Sequence, residues 1–206
     1  MREPVPLDKA YRLLNHGPTV LVSAVHAGRR NLMAAAWAMP LDFEPPKVAV
    51  VLDKSTYTRT LIEAAGLFAL NLPTRAQAGL THALGSSSGR ELLEREGRDK
   101  FEAYGLTSFE GPATGMPLLE GCVAWLECRL LPEPALQAGY DLFLAEVLAA
   151  QADARVFRAG RWHFDEADPA LRTIHHVPRS GPPRAAEPLG ADRAPRRIQR
   201  PSRSTA

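Results

Sequence analysis

The sequence predicts a mainly β fold with peripheral helices, its strands closed or nearly closed into a barrel. Short apolar runs rich in β-branched or aromatic residues, turn signals between most of them, and helical periodicity confined to a few stretches point the same way. Strands at short spacing with only occasional helices favour a barrel over a doubly wound parallel sheet, which needs a helix at nearly every crossover.

The candidate strands, in order, are Thr19 to Val25, Leu32 to Met39, Lys47 to Asp53, Leu67 to Leu72, Cys122 to Leu131 and Leu142 to Ala150. Val156-Phe157 and Trp162 to Phe164 flank Ala159-Gly160-Arg161 and read as a late hairpin with a glycine turn. Tyr57 to Ala65 reads as a helix, with Ser55 or Thr56 available as its cap and Gly66 as its end. Thr74 to Leu84 and Glu91 to Lys100 are further helical stretches, the second dense in alternating charge and so a solvated face. There is no internal repeat.

Composition bounds the organisation. The 206 residues, 45% hydrophobic and 23% charged, suffice for one globular core. The net charge is +2, unevenly spread: from Pro178 to Ala206 there are seven Arg against Glu187 and Asp192, a local balance of +5, which leaves −3 on residues 1–177. That tail also holds six Pro and little to bury beyond Leu189 and Ile198, so it is expected to be disordered beside a single domain spanning residues 1–177. Its arginines lack aromatic interleaving, and the body has no nucleic-acid motif, which disfavours nucleic acid as a partner. No apolar run approaches the roughly 20 residues of a membrane span, and Asp8 and Lys9 stand where a signal peptide would have its apolar core, so a cytoplasmic protein with no membrane partner is expected. Cys122 and Cys128, six apart, fall on the same face of a strand and read as buried, reduced thiols.

The motifs of several enzyme classes are missing. No Gly-x-Gly-x-x-Gly joins a strand to a helix, no Walker-type loop occurs, and no Gly-x-Ser-x-Gly elbow is present. His175-His176 would point to opposite faces of a strand, and no His shows paired metal-ligand spacing with Cys or Glu, so no metal is expected.

Two features carry chemistry. Asp53-Lys54-Ser55-Thr56-Tyr57-Thr58 follows an apolar strand and opens a helix, bringing hydroxyls, a lysine and free helix amides together as an anion site; an ordinary helix cap would need one of these hydroxyls alone. Asn31-Leu32-Met33-Ala34-Ala35-Ala36-Trp37 sets unusually small side chains between an Asn and a Trp. Such a strand lets a flat ring lie against backbone, or lets a neighbouring element pack closely. Trp37 itself reads as barrel core in preference to a ring stack.

At these features the chain resembles the flavin-reductase-like, flavoredoxin-type family. The resemblance rests on Gly17 to Ser23, Asn31 to Met33, Trp37 to Pro40, Phe43 to Pro46, Gly66 to Pro73, Ser88-Gly89-Arg90, Asp99-Lys100-Phe101, Gly105-Leu106-Thr107, Leu126-Glu127-Cys128 and Tyr140 to Val147, in that order, across roughly residues 10–176. It implies an FMN-binding split β-barrel working as a homodimer, with flavin near the interface. Asn31, Leu32, Met33, Ala34, Ala35, Ala36 and Trp37 would line the isoalloxazine, mostly through backbone amides. Ser55, Thr56 and Thr58 would hold the phosphate beside Asp53 and Lys54, with Asn71, Arg90 and Lys100 as further contacts. Alanines at 34–36 replace the Thr or Ser common in relatives. The spacing before Asp99 exceeds the family's, so its basic position falls on Arg90 or Arg98. The implied activity is an NAD(P)H-dependent flavin reductase passing electrons through FMN to an acceptor; an FMN electron carrier served by a partner protein, and a flavin-binding protein, are the alternatives. No protein acid or base is needed.

Overall fold

A computed structural model describes residues 1–176 and, beyond them, Arg184–Ala185. Strand β1 (Arg2–Pro4), helix α1 (Leu7–Ala10) and a 3-10 turn lead into β2 (Val20–His26), β3 (Arg29–Ala35), β4 (Ala38–Phe43) and β5 (Pro46–Val51). Helix α2 (Tyr57–Ala65) returns the chain to β6 (Leu67–Leu72), and α3 (Ala78–Gly85), α4 (Gly89–Glu96) and α5 (Lys100–Ala103) follow. A small hairpin, β7 (Ser108–Glu110) and β8 (Pro117–Leu119), precedes β9 (Ala124–Leu131), α6 (Pro134–Tyr140) and the long β10 (Leu142–Asp153). The short strands β11 (Phe157–Arg158), β12 (Arg161–Trp162), β13 (Ile174–His175) and β14 (Arg184–Ala185) complete the described chain.

The main sheet runs β3-β2-β6-β9-β10-β5-β4, with β1 also on β10, and every pairing in it is antiparallel. Its two ends, β3 and β4, are consecutive in the chain and separated by Ala36 and Trp37 alone. Three peptide steps span about 11 Å at most, so the path of strands must curl back on itself and leave a seam there. A register shift between Val147 and Ala149 in β10 supplies one of the bends.

Val20, Val22 and Ala24 of β2 join Phe68, Leu70, Leu126 and Phe143 in the barrel core, which Leu61 and Ile62 of α2 help to fill. Leu21 of the same strand turns to a second cluster with Leu32, Leu84, Phe101, Leu118 and Trp125, beneath α3, α5 and the β7-β8 hairpin. A strand buried on both faces reads as a nearly continuous apolar run, and Val20 to Val25 is one, interrupted only by the buried Ser23.

Several expectations are corrected. Leu32 to Met39 is two strands, broken at Ala36-Trp37, and Trp37 is 74% exposed instead of core because it stands at the seam. The stretch Glu91 to Lys100 is interrupted: α4 ends at Gly97, whose φ of 66° closes the helix, and Asp99 caps a new helix that begins at Lys100. Cys122 lies before β9 and packs in the second cluster, whereas Cys128 packs in the barrel core, so they occupy opposite sides of the sheet; both are free and burial raises both thiol pKa values. Asn71 is fully buried in β6, where its amide donates to Leu21 O at 2.9 Å and Ser23 Oγ at 3.0 Å and accepts from Leu119 N at 2.8 Å, pinning β8 to the sheet. Most of the Pro/Arg-rich tail lies outside the described residues; Arg184–Ala185 pairs antiparallel with Ile174–His175.

Candidate functional site

Two clefts lie along β3 and meet at Gly85 and Ser86, at the end of α3. They measure about 270 and 300 Å³, each near the lower end of cofactor sites, which begin at roughly 300 Å³. Joined end to end they form one groove suited to an elongated ligand.

The first cleft is lined by Ala34, Ala35 and Ala36 together with Thr19, Thr81, His82 and His176. The small side chains serve close packing as well as a flat floor: a Cβ on Gly85 would come within 3.2 Å of the Ala34 Cβ. Here α3 approaches the strand as closely as glycine and alanine permit.

The second cleft is polar. Ser55 to Thr58 border it from the start of α2, Ser87, Ser88 and Gly89 from the start of α4, and Lys100 from the start of α5. Two helices of more than one turn, α2 and α4, therefore present their amide-rich ends to the same space, and both ends favour an anion. Neither expected hydroxyl caps α2. Thr56 Oγ1 donates to Asp53 O at 2.7 Å, Ser55 Oγ donates to Asp53 Oδ1 at 2.6 Å, and the helix begins with no side-chain cap. The first-turn amides of α2 thus have no side-chain cap, and such a helix end takes its partners from water or from a ligand.

Donors remain in place around these amides. Asn31, itself buried, donates through Nδ2 to Thr58 Oγ1 at 2.9 Å, which leaves the Thr58 hydroxyl proton uncommitted. Ser88 Oγ accepts from Glu91 N at 3.3 Å and likewise keeps its proton. Ser87 Oγ and Tyr57 Oη are buried without a hydrogen-bond partner among the described residues. Lys100 is 1% exposed, donates through Nζ to Leu84 O at 2.6 Å, and burial lowers its pKa to about 8. A buried ammonium held by one neutral carbonyl is a group awaiting an anion.

Not all of the expected site residues gather here. Met33 borders the second cleft, but Leu32 points into the core, Trp37 stands outside both clefts, and Asn71 is committed elsewhere. Asp53 faces away, accepting from the Ser55 amide and hydroxyl, which hold its carboxyl below the usual range; Lys54 is exposed, with Nζ 3.8 Å from Asp141 Oδ1. Of the two basic candidates, Arg90 lays its guanidinium 5.1 Å from the Tyr57 ring centre, beside the cleft, whereas Arg98 pairs with Glu96. Thr19, Thr81, Ser86 and Ser87 border the clefts without belonging to either sequence motif. The Gly85-Ser-Ser-Ser-Gly89 run between two helices was a usable signal for the serines; an isolated helical threonine gave none. Among the described residues no cluster of three His, Cys, Asp or Glu could hold a metal, and no helix is long and apolar enough to cross a membrane.

The profile of the flavin reductase like domain matches residues 12–170 of this chain. The chain belongs to this family. It is 52% identical over 177 residues to the YddH protein of Escherichia coli K12, covering 84% of this chain and 89% of that one. Among solved structures, an FMN-binding domain of a flavin reductases-like enzyme from Shewanella baltica superposes with a TM-score of 0.85 at 48% identity, covering 93% of this chain and 98% of that one. Flavoredoxin of Desulfovibrio vulgaris superposes with a TM-score of 0.68 at 27% identity, covering 86% and 93%. The antiparallel, curled sheet with its outer helices is thus the fold of these flavin-reductase-like proteins.

Proposed function

We propose that this chain binds FMN in the groove along β3 and acts as an NAD(P)H-dependent flavin oxidoreductase. The observation that carries the reading is the second cleft: the uncapped start of α2 beside the Ser88-capped start of α4, uncommitted hydroxyl protons and a buried lysine with no carboxylate partner, next to Ala34 to Ala36, in a member of a flavin-reductase-like family. The phosphate goes to the amides of α2 and α4, with Lys100, Thr58, Ser87 and Ser88 as donors. The ring extends over Ala34 to Ala36, held by backbone groups. Ser55 and Thr56 contribute amides, since their hydroxyls serve the Asp53 turn. When bound, flavin takes a hydride from a reduced nicotinamide and passes electrons onward, so the protein binds, orients and shields it. The site ends at the helix starts, which favours FMN over FAD.

The working unit is proposed to be a homodimer. Trp37, just before β4, is 74% exposed, and Met39, Leu41 and Phe43 along β4, an edge strand at the barrel seam, are 54%, 45% and 62% exposed. An apolar edge of this kind calls for a partner, and an isologous two-fold contact is the commonest way to supply one.

The flavoredoxin likeness keeps a second reading open, an FMN electron carrier reduced by a partner protein. One experiment addresses both: the purified protein is given FMN, its visible spectrum recorded, and NADH or NADPH added without oxygen. Bleaching of the flavin band supports the oxidoreductase. A bound flavin that neither nucleotide bleaches, but dithionite does, supports the carrier.

A further inference from the structure

Two residues that border the first cleft carry buried hydroxyls with no partner among the described residues. Thr19 and Thr81 are 4% and 1% exposed, both border this cleft, and neither Oγ1 has a hydrogen-bond partner among the described residues. Thr81 stands within α3, where a threonine ordinarily returns its hydroxyl to the carbonyl four residues back. It does not do so here. The backbone of Thr19 is held in place, its amide donating to Ile174 O at 2.8 Å. Two buried, unsatisfied hydroxyls on residues bordering one small cleft are costly, and a ligand that reached them would remove that cost by supplying partners.

The chemistry of the ligand follows from what lies between them. Ala34 to Ala36 offer methyl groups and backbone but no side-chain hydrogen bonds, so a flat ring lying there meets side-chain polar groups at its margins only. A hydroxyl can donate or accept, and can therefore match either a carbonyl or a ring N–H. We infer that Thr19 and Thr81 recognise the polar edge of the flavin ring, the run of carbonyl and N–H groups on its pyrimidine side. This inference rests on the flavin reading above and adds a specificity pair to it. The hydroxyls absent from positions 34–36 are replaced, in this chain, by two that come from β2's entry and from α3.

The test compares binding of FMN and of riboflavin to wild type, Thr19→Val, Thr81→Val and Thr81→Ser, with melting temperatures of the flavin-free proteins. Losing one neutral hydrogen bond is expected to weaken both flavins about tenfold in either valine variant. Thr81→Ser keeps the hydroxyl and should bind as wild type does. Flavin-free Thr81→Val should melt at the same temperature as wild type or higher, since an unsatisfied buried hydroxyl has been removed. Valine variants that bind both flavins as wild type does overturn the inference, as does a loss confined to FMN, which would assign the hydroxyls to the phosphate. A lower melting temperature in flavin-free Thr81→Val, restored in Thr81→Ser, would show a structural role and overturn it as well. Failure of wild type to bind either flavin is a separate outcome, which removes the flavin reading before any variant is compared.

Discussion

Asn31 on β3 and Thr58 on α2 are joined by a buried hydrogen bond of 2.9 Å, and the Asn31 amide lies so close to Gly89 that a Cβ there would stand 2.0 Å from Oδ1. One side chain therefore locks strand β3 to the starts of both helices that open on the polar cleft. Gly89→Ala must displace Asn31 and break its bond to Thr58, at an expected cost of about 1–3 kcal/mol in stability together with weaker FMN binding. In an Asn31→Ala background the clash is gone, so Gly89→Ala should cost markedly less. Denaturation of the four proteins of this cycle measures the coupling; additive losses would show that the two positions act independently.

Lys100 couples the site to pH. Its pKa in the flavin-free protein is lowered to about 8 by burial, so it is charged at neutral pH and loses its proton as pH rises through that value. A phosphate binds the charged form, so FMN affinity should be flat below about pH 7 and decline above 8, while riboflavin affinity stays level. Lys100→Met should weaken FMN about 10- to 100-fold, as loss of a charge-assisted hydrogen bond would. The same variant removes an unpaired buried charge, so the flavin-free protein should be no less stable. Fluorescence titration of both flavins between pH 6 and 10 checks the profile.

His16 makes the fold sensitive to acid. It packs edge-on to Trp162, Phe164 and His175, its Nε2 lies 2.8 Å from Thr173 Oγ1, and burial, with a smaller contribution from His175, lowers its pKa to about 4. The unfolded chain takes up that proton near pH 6.5, so stability should fall as pH drops from about 6.5 to 4, by up to about 3 kcal/mol from this group. His16→Gln should flatten that slope in melting temperature against pH. An unchanged slope would assign the acid sensitivity to other groups.

The exposed stripe on β4 predicts the assembly. Met39→Glu combined with Phe43→Glu places charge in the middle of the proposed contact and should halve the mass seen by light scattering at micromolar concentration. A wild-type protein already monomeric there would remove the dimer.

What the sequence made legible and what it hid differ for physical reasons. Tyr57–Ala65 and Leu67–Leu72 appear with the expected bounds, because Gly66 at φ 68° ends the helix and starts the strand in one residue. That Ser55 to Thr58 gather where a strand gives way to a helix was also readable, and these residues border the polar cleft. Trp37 misled because a large apolar residue in a strand pattern reads as core, whereas the break between β3 and β4 leaves this one exposed. Asn71, which the resemblance implied as a flavin contact, instead bonds the backbone of β2 and β8, a commitment visible only once the strands are paired. Which hydroxyls were free could not be read at all: Ser55 and Thr56 are spent on Asp53, while Ser87 and Thr81 are not, and that distinction exists only once the chain is folded.

The most direct test of the account is the ratio of riboflavin to FMN dissociation constants, measured by fluorescence titration at pH 7 on wild type and Lys100→Met. The account predicts that wild type binds FMN at one per chain and tighter than riboflavin by at least about tenfold, and that Lys100→Met brings the two close together. Equal affinity for the two flavins in wild type, or a preference that survives unchanged in Lys100→Met, would contradict it.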